Sequence, residues 1–158
     1  MLIRPAAPED ADAIWSILEP VIRAGETYAL DREMTRDAAL AWWLSHDAFV
    51  AEDDGAIVGT YYLRRNQAGG GGHVCNCGYM VAEAASGRGV ARAMCAGSLE
   101  RARVLGYKGM QFNFVVSTNT RAVRLWQAMG FAEVGRIPGG FRHPQLGFVD
   151  ALVMYREL

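Results

Sequence analysis

The sequence has no long apolar run, no excess of either charge and only three cysteines among its 158 residues. No stretch is apolar for long enough to cross a bilayer, and the first residues lack the basic-then-apolar layout of a secretion signal. A net charge of -1 argues against a surface dedicated to nucleic acid or to anionic lipid. We therefore expect a cytoplasmic protein with no nucleic-acid partner and no membrane partner.

The cysteines and histidines do not have the spacing of a metal site. Cys75 and Cys77 are two residues apart, Cys95 lies on the following predicted helix, and the three histidines are widely separated. Buried, reduced thiols are the favoured interpretation. A cysteine that carries an acyl group is the alternative, although no nearby histidine motif supports it. We predict no metal.

The composition is that of one ordinary globular domain. Half of the residues are hydrophobic (51%) and about a fifth are charged (21%), which is enough apolar material for one sizeable core. No internal repeat or linker divides the chain. We predict a single domain over residues 1–158.

The first half of the chain predicts a strand, two helices and a β-hairpin. Leu2–Arg4 is a short strand, and a helix with one apolar face follows up to Gly25. Pro20 interrupts that pattern and predicts a kink or a break into two helices. Thr35 is placed to cap a second helix. The strongest hairpin signal is Asp53-Asp54-Gly55, between strands over 48–52 and 56–65.

The second half predicts alternating strands and helices that form a mixed sheet. The predicted elements are a glycine-rich connector (67–72), a strand (73–81), a helix from about Arg88 to Leu105 with a core stripe that includes Leu105, a strand (108–116), a helix capped by Asn119 that stops at Gly130, a strand (131–137), a turn at Pro138-Gly139-Gly140 and a last strand (150–156). The strand–helix–strand order predicts a parallel pair. The fold class is α/β (α+β), with helices on both faces of the sheet.

A glycine turn between the 73–81 strand and the next helix is a candidate anion site. Gly87 and Gly89 carry no Cβ, so a phosphate could approach their backbone N–H groups closely. The start of the following helix also favours negative charge. A plain strand-to-helix turn is the structural alternative.

Three segments, in this order and spacing, resemble the GNAT N-acetyltransferase superfamily over nearly the whole chain. Val81 with Ser86-Gly87-Arg88-Gly89-Val90-Ala91 resembles the family's coenzyme A pyrophosphate loop. Asn119 to Trp126, with Met129-Gly130-Phe131, resembles its coenzyme-arm helix. Arg4 to Ala11 resembles the usual family opening. The resemblance implies the GNAT-like acyl-CoA N-acyltransferase fold, with about seven strands, and acetyl-CoA as co-substrate; a homodimer is expected from the family alone.

The resemblance also assigns roles to individual residues. The glycine loop, Ser86 to Ala91, would hold the pyrophosphate, while Arg88 and Arg92 either contact phosphate or lie on the solvated helix face. The fourth and fifth strands would splay apart to admit the pantetheine arm. A free N–H near Val81 would then bind the thioester oxygen, on which charge develops during attack. Asn119 would hold the arm, cap its helix, or do both.

Two positions depart from the family pattern. Ser86 stands where arginine or glutamine is usual, which should weaken coenzyme binding slightly. Trp126 stands where a tyrosine usually protonates the leaving thiolate, and indole has no usable acid at neutral pH. Because a thiol with a pKa of about 8.5 leaves without a strong acid, water could serve. Trp126 is then expected to pack against the pantetheine arm or the core.

Further segments resemble the azetidine-2-carboxylate (proline-analogue) N-acetyltransferases. These are His73 to Cys77, Gln111 to Asn119 and Leu125-Trp126. The resemblance places Asn76 and Asn113 in the substrate pocket. Independently, asparagine is a poor strand former, and its amide both donates to a carboxylate and accepts from an amine. A structural hydrogen bond between the splayed strands is the alternative for each.

The identity of the general base is left open by the sequence. Asparagine cannot titrate, so Asn76 would position a water or hold the neutral amine. Glu83 and Glu26 are other candidates, each equally well explained as a surface residue. Tyr28 and the segment 140–143 could form the pocket wall.

The expected function is acetyl-CoA-dependent acetylation of a small amine, most closely an amino or imino acid of the proline-analogue type. Two alternatives stay open. The acceptor could be a protein N-terminus or a lysine, or the chain could be a non-catalytic acyl-CoA-binding regulatory module, as the missing tyrosine and Ser86 suggest.

Overall fold

The computed structural model describes residues 1–158 and shows one seven-stranded sheet with helices on both faces. The strands are β1 (Leu2–Pro5), β2 (Asp47–Asp53), β3 (Ala56–Arg65), β4 (Val74–Val81), β5 (Gly109–Val116), β6 (Ala132–His143) and β7 (Gly147–Glu157). The helices are α1 (Ala11–Ala24), α2 (Arg36–Leu44), α3 (Val90–Val104) and α4 (Thr120–Ala128). None of these helices is long and apolar enough to cross a membrane.

The sheet opens at its centre because its only parallel pair separates. The strand order is β1-β2-β3-β4-β5-β7-β6, and all neighbours except β4 and β5 are antiparallel. β4 and β5 pair only at Val74–Gly109 and Cys75–Met110. Farther along, β5 shifts its register against β7 between Phe112 and Val115. The carboxyl halves of β4 and β5 therefore diverge and leave a gap.

Each face of the sheet has its own core. On one face, α3 and α4 cover a cluster that includes Met94, Leu99 and Trp126. On the other, α1 and α2 cover a cluster centred on Ile14 and Trp43. Because successive strand residues point to opposite faces, β4 contributes Cys75, Cys77 and Tyr79 to the first cluster and Met80 to the second. Both cores hold the two sides of the gap in place.

Several sequence predictions are confirmed. The sheet has the predicted seven strands, with β4 and β5 as its parallel pair. The Thr35 hydroxyl caps α2 by accepting a hydrogen bond from the Ala38 N–H at 3.2 Å. The β2–β3 hairpin turns at Asp54 and Gly55, both with positive φ as a tight two-residue hairpin turn requires.

Three predicted details are wrong. Helix α1 continues through Pro20, so the break into two helices, one of the two alternatives predicted there, is wrong. Pro20 lies on the exposed side, where water can satisfy the carbonyl that loses its helical partner. Helix α3 begins at Val90, not Arg88, because Gly89 has a φ of 82° and cannot continue a helix. Leu105 caps its end and is 43% exposed instead of buried.

The C-terminal hairpin also differs from its prediction. Residues 138–140 form an irregularity within the longer strand β6, where the register against β7 shifts between Ile137 and Phe141. The Gly139 N–H donates to the Asp150 carboxylate at 3.0 Å and so bonds across to β7. The chain turns later, between His143 and Gly147, and β7 is correspondingly longer than predicted.

Candidate active site

The gap between β4 and β5 leads into two adjoining cavities. We call the larger one, about 480 Å³ and beside the turn before α3, the loop cavity. We call the smaller one, about 290 Å³ and between the diverging strands, the strand cavity. Six residues line both: Thr27, Tyr28, Tyr79, Asn119, Ala122 and Trp126. Two ligands that occupied the two cavities would meet beside these six residues.

The loop cavity presents a row of unpaired backbone donors. Five N–H groups have no acceptor within the protein, those of Gly87, Gly89, Val90, Ala91 and Arg92, and the first N–H bonded inside α3 is that of Ala93, to the Gly89 carbonyl at 3.0 Å. A Cβ at Gly89 would meet no atom within 4 Å, so it would project into open space in front of these donors. Free N–H groups at a helix start form a site for phosphate.

The side chains around these donors are positive. Arg92 and Arg121 line the loop cavity, and no acidic residue does. The Arg121 guanidinium donates to the Ser86 hydroxyl at 2.7 Å, which holds it over the turn. Arg88 points elsewhere, because it pairs with Asp53 at 2.6 Å and does not line the cavity. Of the residues proposed for this loop, Arg88 is therefore the one that the structure places outside.

The edge of β4 that faces the gap carries the groups of its odd-numbered residues. Even-numbered residues bond toward β3, as the Ala82 N–H does to the Val58 carbonyl at 2.9 Å. Alternation in an antiparallel pair then turns Tyr79 and Val81 toward the gap. Tyr79 is already satisfied, since its N–H donates to the Tyr28 hydroxyl at 2.8 Å and that hydroxyl donates to its carbonyl at 2.9 Å. The Val81 N–H has no strand opposite it.

Helix α4 supplies the other wall of both cavities. The Asn119 side chain caps this helix by accepting from the Ala122 N–H at 3.4 Å. Trp126 is buried, and its ring lies 5.1 Å from that of Tyr79 and 5.0 Å from that of Phe112. It therefore belongs to the core and borders both cavities.

Asn76 lines the strand cavity and also bridges the two diverging strands. The residue is 4% exposed. The amide nitrogen donates to the Gln111 carbonyl on β5 at 2.9 Å, and the amide oxygen accepts from Arg64 Nε at 3.1 Å. The Tyr62 hydroxyl is 3.4 Å from the same oxygen. The hydrogen bond between splayed strands, one of the two alternatives for Asn76, is thus present in the structure.

Asn113 lines the same cavity from β5 and has its own polar partners. Its nitrogen donates to the Asn66 side chain at 2.7 Å, and its oxygen accepts from Gln111 Nε2 at 2.9 Å. Asn66 follows β3, so this pair also joins the two sides of the gap. The structure brings Asn76 and Asn113 into one cavity, as the sequence suggested.

Arg64 is a residue of the strand cavity that the sequence analysis missed. It is the only charged residue that lines this cavity, and no carboxylate pairs with it. Nε bonds to Asn76, and the guanidinium lies 5.8 Å from the Tyr62 ring centroid. Cross-strand pairing was the available signal, because Arg64 stands opposite Asn76 on β3. The terminal nitrogens of Arg64 remain free to bind an anion.

Neither cavity contains a carboxylate or a histidine, so no conventional base is at hand. Glu26 and Glu83 line neither cavity, and neither do residues 140–143, whereas Tyr28 does form part of the wall. The three cysteines are free and buried. Burial raises the pKa of Cys75 to about 12 and that of Cys95 to about 11, and it raises the pKa of Cys77 well above its usual value. Neutral thiols of this kind are poor nucleophiles.

No three His, Cys, Asp or Glu side chains lie close enough together to hold a metal ion. The polar groups of both cavities are instead backbone N–H groups, amides, hydroxyls and arginines. Such groups bind anions and orient polar substrates. They do not themselves titrate near neutral pH.

The sequence and the fold match known proteins of one family. Residues 13–131 match the Acetyltransferase (GNAT) family. A GCN5-related N-acetyltransferase from Kribbella flavida is 41% identical and superposes with a TM-score of 0.95, over 99% of this chain and 97% of that one. N-acetyltransferase aca1 of Schizosaccharomyces pombe is 28% identical over 151 residues, covering 84% of this chain and 72% of the relative. The yncA acetyltransferase of Salmonella typhimurium, solved with acetyl-CoA, shares the fold at 24% identity with a TM-score of 0.87. The chain therefore belongs to the GNAT family of N-acetyltransferases, which take their acetyl group from acetyl-CoA.

Proposed function

We propose that this N-acetyltransferase acetylates the amine of a small amino or imino acid, with proline analogues as the favoured class. The observation that carries the proposal is Arg64, the single charged residue of the strand cavity, which has no carboxylate partner. A guanidinium whose terminal nitrogens are free matches a carboxylate in geometry and charge. The cavity volume of about 290 Å³ lies just below the ~300–1,000 Å³ range of small-molecule sites. A small, carboxylate-bearing amine fits both properties.

Acetyl-CoA would approach from the loop cavity. The five free N–H groups of the loop cavity, with the Arg92 and Arg121 side chains, suit its pyrophosphate. The pantetheine arm would then run along β4 between Asn119 and Trp126. Its thioester would reach the boundary of the two cavities, where the Val81 N–H could bind the carbonyl oxygen. Donors that already point at a developing negative charge lower the barrier to attack.

The reaction then needs only positioning and a proton acceptor. With its carboxylate on Arg64, the substrate would present its amine to the thioester beside Asn76 and Asn113. The amine attacks the thioester carbon, the C–S bond breaks, and the coenzyme leaves as a thiolate. Because no carboxylate or histidine lines either cavity, water takes the ammonium proton and returns one to the thiolate. A thiol pKa of about 8.5 makes the second step easy near neutral pH.

Acetylation of a protein N-terminus or lysine is the second candidate function. The aromatic wall and small volume of the strand cavity disfavour it, because a polypeptide needs an open groove with complementary charge. A non-catalytic acyl-CoA-binding module is the third candidate, suggested by the tryptophan at position 126 and by Ser86. Binding to coenzyme A without turnover of any amine would favour that third possibility.

We also make proposals about the domain organisation, cellular location and assembly of the protein. We propose that residues 1–158 act as one domain in the cytoplasm, where three reduced, buried thiols are the expected state. We also propose a homodimer. Exposed apolar side chains on the β6–β7 hairpin, Ile137, Leu146 and Phe148, support an association through that end of the sheet. The mass of the protein in solution tests this assembly.

A coenzyme thiol-release assay tests the proposed reaction. Azetidine-2-carboxylate, proline, primary amino acids, a polyamine and N-terminal peptides would be compared at equal concentration with saturating acetyl-CoA. We expect the small imino and amino acids to be turned over and the polyamine, which has no carboxylate, to be inert. Faster turnover of the peptides would favour the protein-acetylating alternative. If no amine of the panel leads to release of the coenzyme thiol, the proposed reaction is contradicted.

A further inference from the structure

The Tyr28 hydroxyl forms the backbone hydrogen bonds that a neighbouring strand would otherwise make with Tyr79. Tyr28 lies in the connection between α1 and α2, far from Tyr79 in sequence. Its hydroxyl accepts from the Tyr79 N–H at 2.8 Å and donates to the Tyr79 carbonyl at 2.9 Å. A neighbouring strand would ordinarily satisfy these two groups, but β5 has already diverged from β4 at this point. The Tyr28 side chain therefore satisfies both the N–H and the carbonyl of Tyr79 on the open edge of β4.

The position of this contact coincides with the boundary between the two cavities. Tyr28 and Tyr79 line both cavities, whereas Val81 lines only the loop cavity. A chain-like ligand that enters from the loop cavity along β4 meets Val81 first and Tyr79 second. The Val81 N–H is open, but both groups of Tyr79 are occupied. Continued pairing along β4 thus requires the ligand to displace the phenol.

We propose that Tyr28 is a positioning residue, which ends the pairing of the coenzyme arm with β4 at Val81 and so holds the acetyl group where the two cavities meet. The inference rests on the proposed function, because it takes the arm to run along β4. Without the hydroxyl, the N–H and carbonyl of Tyr79 would be open to the arm. The arm could then slide one pair of residues deeper and carry its thioester past the amine.

The chemistry of the phenol suits a fixed stop better than a proton donor. Burial raises the pKa of Tyr28 far above its usual value. The hydroxyl therefore stays protonated and keeps donating to the Tyr79 carbonyl at every pH at which the enzyme works. A thiolate whose conjugate acid has a pKa of about 8.5 would not take that proton. Tyr28 consequently does not replace the acid that Trp126 cannot provide.

Tyr28→Phe tests the inference, because it keeps the ring and removes only the hydroxyl. We expect kcat to fall at least tenfold with the best amine, while the Kd of coenzyme A, measured by calorimetry, stays the same or becomes smaller. This separation arises because the variant opens two more hydrogen-bonding groups to the arm and misplaces only the acetyl group. Tyr61→Phe is the matched control, since Tyr61 stands opposite Tyr79 on β3 and lines neither cavity; we expect both quantities unchanged in it.

Two outcomes would overturn the inference. A kcat of Tyr28→Phe within twofold of the unmodified enzyme would show that the hydroxyl does not position the acetyl group. A Kd for coenzyme A that rises tenfold or more would show that Tyr28 is part of the binding surface and not a stop. Failure of the proposed substrate class would appear differently, as poor turnover of imino acids by the unmodified enzyme, and the comparison would then use whichever amine it accepts. If it accepts none, the Kd for coenzyme A decides: a smaller value in Tyr28→Phe but not in Tyr61→Phe is the expected result, and an unchanged value would overturn the inference.

Discussion

Replacing Arg64 with methionine should weaken the enzyme selectively toward substrates that carry a carboxylate. Methionine keeps an apolar stem of similar length beside the Tyr62 ring and removes the charge. A hydrogen bond to a charged group contributes ~1.5–3 kcal/mol. Arg64 is only half-buried, so we take about 2 kcal/mol, which corresponds to a ~30-fold loss of kcat/KM at about 1.4 kcal/mol per factor of ten.

Part of any loss will be indirect, because Arg64 also holds the Asn76 side chain through Nε. Azetidine-2-carboxamide separates the two effects. It has the same ring and amine but no carboxylate, so the indirect part should affect both substrates equally. We therefore expect Arg64→Met to reduce kcat/KM for azetidine-2-carboxylate about 30-fold more than for the carboxamide.

The neighbouring arginine provides a matched control. Arg65 is exposed and lines neither cavity, so Arg65→Met removes the same charge without touching the site. We expect Arg65→Met to leave both kcat/KM values within twofold of those of the unmodified enzyme. Equal losses of carboxylate and carboxamide turnover in Arg64→Met would show that Arg64 acts only by supporting the cavity wall and does not bind the substrate carboxylate.

Four further predictions follow from contacts in the structure. Arg121→Ala should weaken coenzyme A binding several-fold, and more at low salt, because it removes a cation from the loop cavity; calorimetry at two salt concentrations tests this, and an unchanged Kd would exclude phosphate contact. Asn76→Ala and Asn113→Ala should each lower kcat/KM for the amine far more than they lower acetyl-CoA affinity, and unchanged turnover in both would contradict the proposed pocket. Asn76→Ala should also cost about 1–3 kcal/mol of unfolding free energy, because it leaves the part-buried Gln111 carbonyl without its partner. Acid should unfold the chain partly through Asp10, whose pKa is lowered by hydrogen bonds from Arg4. The stabilisation that this carboxylate provides is complete above the unfolded pKa of about 3.9 and is lost as pH falls below that. The free energy of unfolding of Asp10→Asn should therefore fall less in acid than that of the unmodified protein. Identical pH profiles of the two proteins would contradict this.

Local sequence signals were sufficient for most of the fold. Period and capping residues placed the helices, and the parallel β4–β5 pair followed from the strand–helix–strand order. The errors at Pro20 and at 138–140 have one cause. At both places a proline removes a backbone N–H, but the sequence does not say whether the chain turns there or continues with water or a neighbouring strand supplying other hydrogen bonds. In β6, the Asp150 carboxylate supplies one such bond.

The site was only partly predictable, because its shape comes from the divergence of two strands. The glycine turn and the two asparagines could be predicted as site residues from their residue types alone. Arg64 could not, since an arginine near the end of a strand has the pattern of an ordinary surface residue. It lines a cavity only because β5 turns away beside it. The Tyr28–Tyr79 contact joins residues 51 apart in sequence, and no local pattern predicts which backbone edge a loop tyrosine will reach.

A mixed reaction analysed by mass spectrometry tests directly whether the enzyme prefers a small imino acid as acetyl acceptor. The unmodified enzyme would receive limiting acetyl-CoA together with equal concentrations of azetidine-2-carboxylate, a polyamine and an N-terminal peptide. We expect nearly all of the acetyl groups on the azetidine nitrogen, in amounts that match the coenzyme thiol released. Acetyl groups found mainly on the peptide or the polyamine, or thiol release without an acetylated amine, would contradict the proposed function.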